Sequence, residues 1–245
     1  MKKLIAVIPM GGLGSRFANA GYRTPKPFIR LKNGIPLFIN AALSINNIGI
    51  PTKFVFVVQE HLFKEYNYIF KNELPTYFSN YKIVVLNKLT RGSSETVKIG
   101  VQDEDENNLM IAIDCDLNFE PSDEYIHKIK DVVNGLDDSC CLLSFNSNSK
   151  KYSYAKILEN SNIVVQTAEK NVISNNALIG AYFFNSIKTF NNGFNWLEKH
   201  NNAKELYTSL IYNYIIENKL SNVLLYKVKN YRSYGTPEEF KQNNV

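Results

Sequence analysis

The clearest indication of the fold is the stretch LIAVIPMGGLGSRF, residues 4–17. Its first part, residues 4–9, is a continuous apolar run of strand length, and Gly11, Gly12 and Gly14 follow at once. An apolar run that leads into a glycine cluster and then into a helix start predicts a strand, a loop and a helix. Backbone N–H groups of such a loop can surround phosphate oxygens. The spacing matches neither GxGxxG nor the Walker pattern, so a tight turn without a ligand is an open alternative.

Further apolar runs of strand length follow and alternate with helical patterns. The runs cover residues 53–58, 82–86, 109–113 and 139–145, and a helical pattern covers residues 36–46. Strands separated by helices pair in parallel, and strands covered on both faces are apolar throughout. The sequence therefore predicts an α/β fold with a mostly parallel, mixed central sheet.

The pattern changes beyond residue 150. Residues 154–158 and 162–166 alternate around a turn and residues 181–184 form another β run, which we interpret together as a small antiparallel insertion over the sheet. A helical pattern over residues 196–216 and a strand over residues 223–228 complete the chain.

Composition limits the class of protein. The 245 residues, 44% of them hydrophobic, suffice for one domain with a large core. We expect neither a membrane span nor a signal peptide, because no apolar run reaches about 18 residues and no cleavage site follows the N-terminal run. The net charge of +5 is scattered, which gives no indication of nucleic-acid binding. Cys115, Cys140 and Cys141 lack CxxC spacing and are interpreted as buried thiols of a cytoplasmic protein.

A lysine between two prolines follows the glycine loop. In the motif TPKPF, residues 24–28, the prolines restrict the backbone on both sides of Lys26. Lys26 and Arg16 together can offset the negative charge that develops on phosphorus and on a departing pyrophosphate. These two cations are therefore candidate catalytic residues.

The combination of GGLGSRF with PKPF resembles the signature of the sugar nucleotidyltransferases, the nucleoside-diphosphate-sugar pyrophosphorylases. The resemblance runs from Ile5 to about Glu239. It implies a Rossmann-like, GT-A-type three-layer fold in which residues 1–150 bind the nucleotide and residues 151–245 bind the acceptor, all within one domain of residues 1–245.

The activity implied by the resemblance is a nucleotidyl transfer. An NMP unit passes from an NTP to a sugar phosphate or another small phosphorylated acceptor, and pyrophosphate leaves. The chain looks most like short, single-domain, capsule-type members, including cytidylyltransferases, which implies an NDP-sugar or NDP-alcohol for surface polysaccharide. A GT-A glycosyltransferase with a sugar-nucleotide donor is the alternative, although it would not need the glycine loop and Lys26 for a triphosphate. A non-catalytic nucleotide-binding module is a third class, which no feature favours.

The resemblance assigns nucleotide-binding roles to two loops. They fall on Met10, Gly11, Gly12, Gly14, Ser15 and Arg16 in the first loop and on Gly92, Ser93 and Glu95 in the second. Glu95 stands where the family commonly has a glutamine, so its contact with the base is open. Helix capping by Ser93 or Ser94 is the alternative for the second loop.

The resemblance also assigns acceptor-binding roles. Glu169 matches a glutamate that binds acceptor hydroxyls, and Lys170 matches a lysine that holds the acceptor phosphate. Gly180 and Tyr182 match a run that lines the pocket. A solvated charge pair and a packed strand tyrosine are the respective alternatives. The expected partners are the two substrates and a second copy of the chain in a homodimer.

Two aspartates follow the run over residues 109–113. Carboxylates at the carboxyl end of a strand lie where open α/β sheets bind ligands, and such hard oxygen ligands suit Mg²⁺. By resemblance Asp116 binds the metal and is a catalytic residue, and Asp114 either assists or holds the loop; a capping aspartate is the alternative. Ser233 stands where many relatives have a second metal-binding aspartate.

Several choices stay open at the level of sequence. The base of the NTP, among CTP, UTP, GTP and dTTP, depends on a few hydrogen bonds near Gly12 and Gly92. The acceptor is a hexose or heptose phosphate or a smaller phosphorylated alcohol or amine. His61, His127 and His200 belong to no catalytic motif and are interpreted as structural.

Overall fold

The protein is described by a computed structural model that covers residues 2–200 and 205–244. The strands are β1 (Leu4–Met10), β2 (Thr52–Gln59), β3 (Tyr81–Leu86), β4 (Leu109–Ile113), β5 (Leu117–Glu120), β6 (Cys140–Asn146), β7 (Ser153–Ile157), β8 (Val164–Glu169), β9 (Asn176–Phe184), β10 (Val223–Lys227) and β11 (Lys229–Ser233).

The α-helices are α1 (Ser15–Asn19), α2 (Leu37–Asn46), α3 (Glu60–Glu65), α4 (Leu74–Tyr77), α5 (Ser93–Gly100), α6 (Asp123–Val133), α7 (Ile187–His200), α8 (Ile211–Glu217) and α9 (Pro237–Asn243). Short 3-10 turns cover Lys26–Phe28 and Thr208–Leu210, and a π-helical segment covers Ile69–Glu73. None of the helices in the described residues combines the length and the apolar character that a membrane crossing requires.

The central sheet has the strand order β10-β6-β9-β4-β1-β2-β3. Strand β1 pairs in parallel with β2 and β4, β2 with β3, and β6 with β10, whereas β9 is antiparallel to both of its neighbours. The predicted α/β architecture with a mostly parallel, mixed sheet is confirmed.

Helices cover both faces of this sheet because successive side chains of a strand point to opposite faces. In β1, Leu4, Ala6 and Ile8 pack into a core with α2 and α6, while Ile5 and Val7 pack into a second core with α5, α7 and α8. A strand buried on both faces is apolar at every position, which explains the unbroken run at the start of the chain.

One sequence-based interpretation is wrong in its details. Residues 181–184 do not belong to an insertion over the sheet; they are the end of β9, which lies in the central sheet between β4 and β6. A short apolar run shows that a strand exists but not which strand it pairs with. The antiparallel insertion itself is the β7–β8 hairpin. The chain leaves β6 after Asn146 and enters β9 at Asn176, and these two residues are directly paired, while Tyr154 of β7 pairs with Ala177 of β9 and so attaches the hairpin to the sheet.

Two further differences concern weak patterns. Strands β5 and β11 form a separate antiparallel pair that the sequence did not indicate, since LNFE and KNYRS are short and largely polar. The helical pattern over residues 196–216 corresponds to the end of α7 and most of α8, and its residues 201–204 lie outside the described part of the chain.

Candidate active site

A cavity of about 800 Å³ opens where the loops after β1, β2, β3 and β4 converge. This is the carboxyl edge of the parallel strands, the edge at which open α/β sheets bind ligands. The cavity wall contains most of the predicted site residues: Met10, Gly11, Gly12, Gly14, Ser15, Arg16, Lys26, Gly92, Ser93, Asp114, Asp116, Glu169, Lys170, Gly180 and Tyr182. Predicted site residues near positions 10–16 and 169–182, which are far apart in the sequence, therefore line the same cavity.

Glu95 is the predicted residue that lies outside this wall. Its carboxylate accepts hydrogen bonds from the backbone N–H of Arg91 at 2.6 Å and from the Arg91 guanidinium at 2.7 and 3.0 Å. The hydrogen bonds from Arg91 lower the pKa of Glu95 and keep it ionised. In the structure Glu95 holds the loop in shape, and its contact with a base stays a prediction.

The glycine loop lies directly against the lysine motif. Gly14 is the N-cap residue of α1, and a Cβ atom placed on it would lie 3.5 Å from Cβ of Lys26. The backbone carbonyl of Gly11 accepts a hydrogen bond of 2.9 Å from Nε2 of Gln59, at the end of β2. The loop that precedes α1 is thus fixed to two neighbouring elements.

Lys26 forms an ion pair with Asp116. Its Nζ lies 2.6 Å from Oδ2 of Asp116, and the two side chains are 23% and 17% exposed. Burial by itself would lower the pKa of Lys26, but the negative charge of Asp116 outweighs it and the pKa is raised. Lys26 is therefore a fixed, fully protonated cation at the floor of the cavity.

Asp114 lies beside β9. Its backbone N–H donates to the carbonyl of Gly180 at 2.9 Å, because β9 runs antiparallel and its first half therefore lies at the end of β4. Gly180 has a φ of 90°, and a Cβ on it would come within 2.5 Å of Oδ2 of Asp114. Glycine at this position therefore makes room for the aspartate. Burial and the nearby charge of Asp116 raise the pKa of Asp114 to about 7.

The donors for a metal ion are few. Among residues 2–200 and 205–244, no group of three or more His, Cys, Asp or Glu side chains is arranged to hold one. Ser233 carries no charge, and its hydroxyl donates to Oε2 of Glu239 at 2.9 Å. Asp114 and Asp116 nevertheless fit Mg²⁺, which commonly binds through one or two carboxylates together with substrate phosphates.

The other end of the cavity is built around Glu169 and Lys170. Ser153, the cross-strand partner of Glu169 in the hairpin, donates to Oε2 of Glu169, and Ser209 donates to the same oxygen at 3.0 Å. Burial raises the pKa of Glu169. Lys170 donates to the hydroxyl of Tyr207 at 2.5 Å, and this hydrogen bond raises its pKa.

Several cavity residues were not found from the sequence. They are His61, Lys151, Tyr152, Ser153, Tyr207 and Glu239, and none of them belongs to a motif. The one available signal was the spacing of Thr236 and Glu239, which form a capping box at the start of α9. That signal marks a helix start and not a site. His61, interpreted as structural, lies in α3 at the cavity wall.

The two expected halves of the cavity correspond to two sets of elements. Loops after β1 and β3 form the end expected to bind nucleotide, and the β7–β8 hairpin forms the end expected to bind acceptor. The Lys26–Asp116 pair and Asp114 line the same cavity. Cys115, Cys140 and Cys141 are free thiols and are buried, as expected.

The overall structure matches known proteins over nearly its full length. A crystal structure of a nucleoside-diphosphate-sugar pyrophosphorylase from Vibrio cholerae RC9 has a TM-score of 0.81 and 27% sequence identity, and the match covers 98% of this chain and 99% of the other. A Bacillus anthracis protein assigned as a glucose-1-phosphate thymidylyltransferase, solved in complex with sucrose, has a TM-score of 0.75, covering 98% and 94% of the two chains. Its identity of 17% supports the fold alone.

Sequence comparison is less informative than structural comparison. No protein-family model matches the chain, and no curated protein matches it significantly. The match to the Vibrio cholerae structure confirms that the chain resembles the nucleoside-diphosphate-sugar pyrophosphorylases over nearly its whole length, as the glycine loop and the PKPF motif predicted.

Proposed function

We propose that this protein transfers an NMP unit from an NTP to a sugar phosphate or another small phosphorylated acceptor, releasing pyrophosphate. One observation carries the proposal: the glycine loop, the Lys26–Asp116 ion pair and the Glu169–Lys170 pair line a single cavity. The similarity to the nucleoside-diphosphate-sugar pyrophosphorylase from Vibrio cholerae supports the same reaction.

The NTP occupies the end of the cavity formed by the glycine loop. Backbone N–H groups between Gly11 and Ser15 bind its phosphates at the start of α1, and the loop at Gly92 and Ser93 contacts its base. Arg16 and Lys26 offset the negative charge that increases on the phosphates during transfer. Because Asp116 already fixes the ammonium of Lys26, little reorganisation is needed when the triphosphate arrives.

The acceptor occupies the end formed by the hairpin. Lys170 binds its phosphate, Glu169 accepts hydrogen bonds from its hydroxyls, and Gly180 and Tyr182 form the adjacent wall. An oxygen of the acceptor phosphate attacks the α-phosphorus and forms a new P–O bond. The bond between the α-phosphorus and the bridging oxygen breaks, and pyrophosphate leaves with that electron pair. No general base is needed, because the attacking oxygen is already ionised.

Asp116, with Asp114 beside it, would hold Mg²⁺ together with oxygens of the triphosphate. When bound, the ion supplies positive charge to nonbridging phosphate oxygens and to the leaving pyrophosphate. At position 233, where a second aspartate would add a negative charge near the ion, this chain has the neutral hydroxyl of Ser233. The two carboxylates would thus supply the protein ligands of the ion, and phosphate oxygens of the NTP would supply others.

The finer assignments are also proposals. We place the enzyme in the cytoplasm, as a homodimer, and its product in the synthesis of capsule or other surface polysaccharide. The resemblance to short capsule-type members supports this role, and free buried thiols fit a reducing compartment. Cytidylyl transfer is one of the base choices that the experiment below separates.

The experiment is a pyrophosphate-release assay that crosses CTP, UTP, GTP and dTTP, each with Mg²⁺, against sugar 1-phosphates, heptose phosphates and phosphorylated alcohols and amines. At least one pair should release pyrophosphate, and Lys26→Ala should abolish the release. Lys53→Ala is the matched control, because Lys53 makes an ion pair of the same length, 2.6 Å, with Glu104 and is not in the cavity wall. Release of a nucleoside diphosphate from a sugar nucleotide, without pyrophosphate release, would contradict the proposal and indicate a glycosyltransferase.

A further inference from the structure

Residues 206–209, here called the bridge segment, lie between the two ends of the cavity. Leu206, Thr208 and Ser209 are buried, and Tyr207 and Thr208 contribute to the cavity wall. Successive residues of the segment contact opposite sides: the first and third contact the loop after β3, and the second and fourth contact the end of the hairpin.

The contacts on the nucleotide side involve backbone atoms. The N–H of Leu206 donates to the carbonyl of Arg91 at 3.0 Å, and the carbonyl of Leu206 accepts from the hydroxyl of Ser94 at 2.8 Å. A Cβ on Gly92 would come within 2.5 Å of the same carbonyl. No side chain fits at position 92, because the backbone of Gly92 lies too close to the bridge segment.

Thr208 adds a contact between side chains. Its hydroxyl lies 3.3 Å from the hydroxyl of Ser93, the first residue of α5. The loop from Arg91 to Ser94 is thus tied to the bridge segment at both Leu206 and Thr208.

The contacts on the acceptor side are made by side chains. The hydroxyl of Tyr207 accepts from Nζ of Lys170 at 2.5 Å, and the ammonium lies 4.6 Å from the centre of the tyrosine ring. The hydroxyl of Ser209 donates to Glu169 at 3.0 Å, and its carbonyl accepts from the hydroxyl of Thr167 at 2.8 Å. Both expected acceptor-binding residues are therefore held by the bridge segment.

We propose that the bridge segment couples the loop at residues 91–94 to Glu169 and Lys170, so that an NTP held by this loop also restrains the two acceptor-site side chains. Tyr207 and Ser209 are positioning residues that act through Lys170 and Glu169. The inference rests on the proposed function, because it requires an NTP at the loop. Two ligands that share an ordered element bind cooperatively, and each raises the affinity for the other by the same factor.

Hydrogen exchange of the full chain with each NTP and Mg²⁺, without acceptor, tests the inference. NTP should protect residues 10–16 and 91–94 directly, and it should also protect residues 166–170. In Ser94→Ala, which removes the hydroxyl that binds the carbonyl of Leu206, protection should persist at residues 10–16 and fall at residues 166–170. Ser161→Ala is the matched control, since it removes a hydroxyl that binds a backbone carbonyl at 3.0 Å in an exposed turn.

The outcomes separate the inference from the proposed function. Protection at residues 10–16 and 91–94 with none at 166–170, or with none lost in Ser94→Ala, overturns the bridge and leaves NTP binding in place. Absence of protection at residues 10–16 with every NTP overturns the proposed function, and the inference with it.

Kinetics give a second measurement with any acceptor that supports turnover in the pyrophosphate panel. Tyr207→Phe keeps the ring and should raise the KM for the acceptor at saturating NTP by about 5-fold, while the affinity for the NTP measured without acceptor and the melting temperature change little. Ser209→Ala should act in the same way, and Ser209→Thr should restore the lost affinity. Weaker NTP binding in the absence of acceptor, together with a lower melting temperature, would indicate a purely structural role, and an unchanged KM for the acceptor would show that Tyr207 does not position Lys170; either result overturns the inference.

Discussion

Lys26 and Asp116 are 90 positions apart in the chain, and Nζ of the lysine lies 2.6 Å from Oδ2 of the aspartate. One residue comes from the turn after the glycine loop and the other from the loop after β4. The ion pair therefore joins the motif expected to bind phosphates to the loop expected to bind the metal. Removing either partner leaves the other as a partly buried charge without its main counterion.

Neutralising either member of this pair should reduce turnover strongly. Lys26→Gln removes the fixed cation that is expected beside the phosphates, and Asp116→Asn releases that cation and removes the proposed metal ligand. Each substitution should lower kcat by at least about 100-fold, as the loss of a transition-state charge contact commonly does. Steady-state pyrophosphate release measures the effect. Lys53→Gln, which breaks the Lys53–Glu104 pair, should retain wild-type kcat. A loss of kcat of similar size in Lys53→Gln would show that breaking any such ion pair disturbs folding, and would contradict a specific role of Lys26 and Asp116.

Gly180→Ala should reduce both activity and stability. The new methyl group would lie 2.5 Å from Oδ2 of Asp114, and a φ of 90° disfavours any side chain. Gly135→Ala is the matched control, because Gly135 has a φ of 74° and open space around it. Both variants should lose about 1 kcal/mol of unfolding free energy through backbone strain, measured in urea.

Only Gly180→Ala should also lose turnover, by about 10-fold, because it displaces Asp114 from the reacting centre. Equal activity in the two variants would show that the position of Asp114 does not affect the reaction. The comparison therefore distinguishes strain in the backbone from crowding of the carboxylate.

Removal of divalent ions should abolish pyrophosphate release, and Mg²⁺ should restore it. Ser233→Asp adds a carboxylate near Asp116 and should lower the Mg²⁺ concentration that gives half-maximal activity. It should also cost about 1 kcal/mol of stability without metal, since it replaces a hydrogen-bond donor to Glu239 with a like charge. Ser233→Asn has a similar shape without the charge. If both variants respond equally to Mg²⁺, a carboxylate at position 233 does not bind the ion.

Asp137 should contribute to stability at neutral pH and lose this contribution in acid. Burial by itself would raise its pKa, but hydrogen bonds from Lys128 and Ser139 outweigh it and lower the pKa to about 2. The carboxylate is thus favoured in the folded state above its unfolded pKa of 3.8, and the gain disappears as the pH falls from about 4 to 2.

Asp137→Asn should therefore lower the unfolding free energy by about 2 kcal/mol at pH 7, by about half of that near pH 3, and by much less at pH 2. Asp103→Asn is the control, because Asp103 is 64% exposed in its ion pair with Lys82 and should change stability by less than about 1 kcal/mol. Urea unfolding across this pH range measures both. A loss at Asp137 that does not depend on pH would assign the effect to packing instead of charge.

The sequence predicted the part of the fold that depends on local pattern. Strands β1, β2, β4 and β6 were found because runs buried on both faces are largely apolar, and β3 was found from its short apolar run although it is a half-buried edge strand. The position of β9 was not found, since its pairing with β4 and β6 depends on residues far away in the chain. Strands β5 and β11 have short, polar sequences that no pattern separates from a loop.

In the candidate site, too, residues within local motifs were predicted and residues that depend on long-range contacts were not. Gly14, Lys26 and Asp116 lie within recognisable motifs, and the structure brings them to one cavity. Tyr207 and Ser209 belong to no motif, because they contact the hairpin only after the chain has folded. Their roles follow from geometry that one-dimensional patterns do not contain.

The pairing of Asn146 with Asn176 has a consequence for how this protein can diverge. The hairpin between them, which includes Glu169 and Lys170, starts and finishes at neighbouring points of the same sheet. A segment whose ends are adjacent can be lengthened, shortened or exchanged between homologues while the remaining strands keep their registers. The proposed acceptor-binding residues Glu169 and Lys170 can therefore change through replacement of residues 147–175, while the glycine loop that is proposed to bind the triphosphate stays the same.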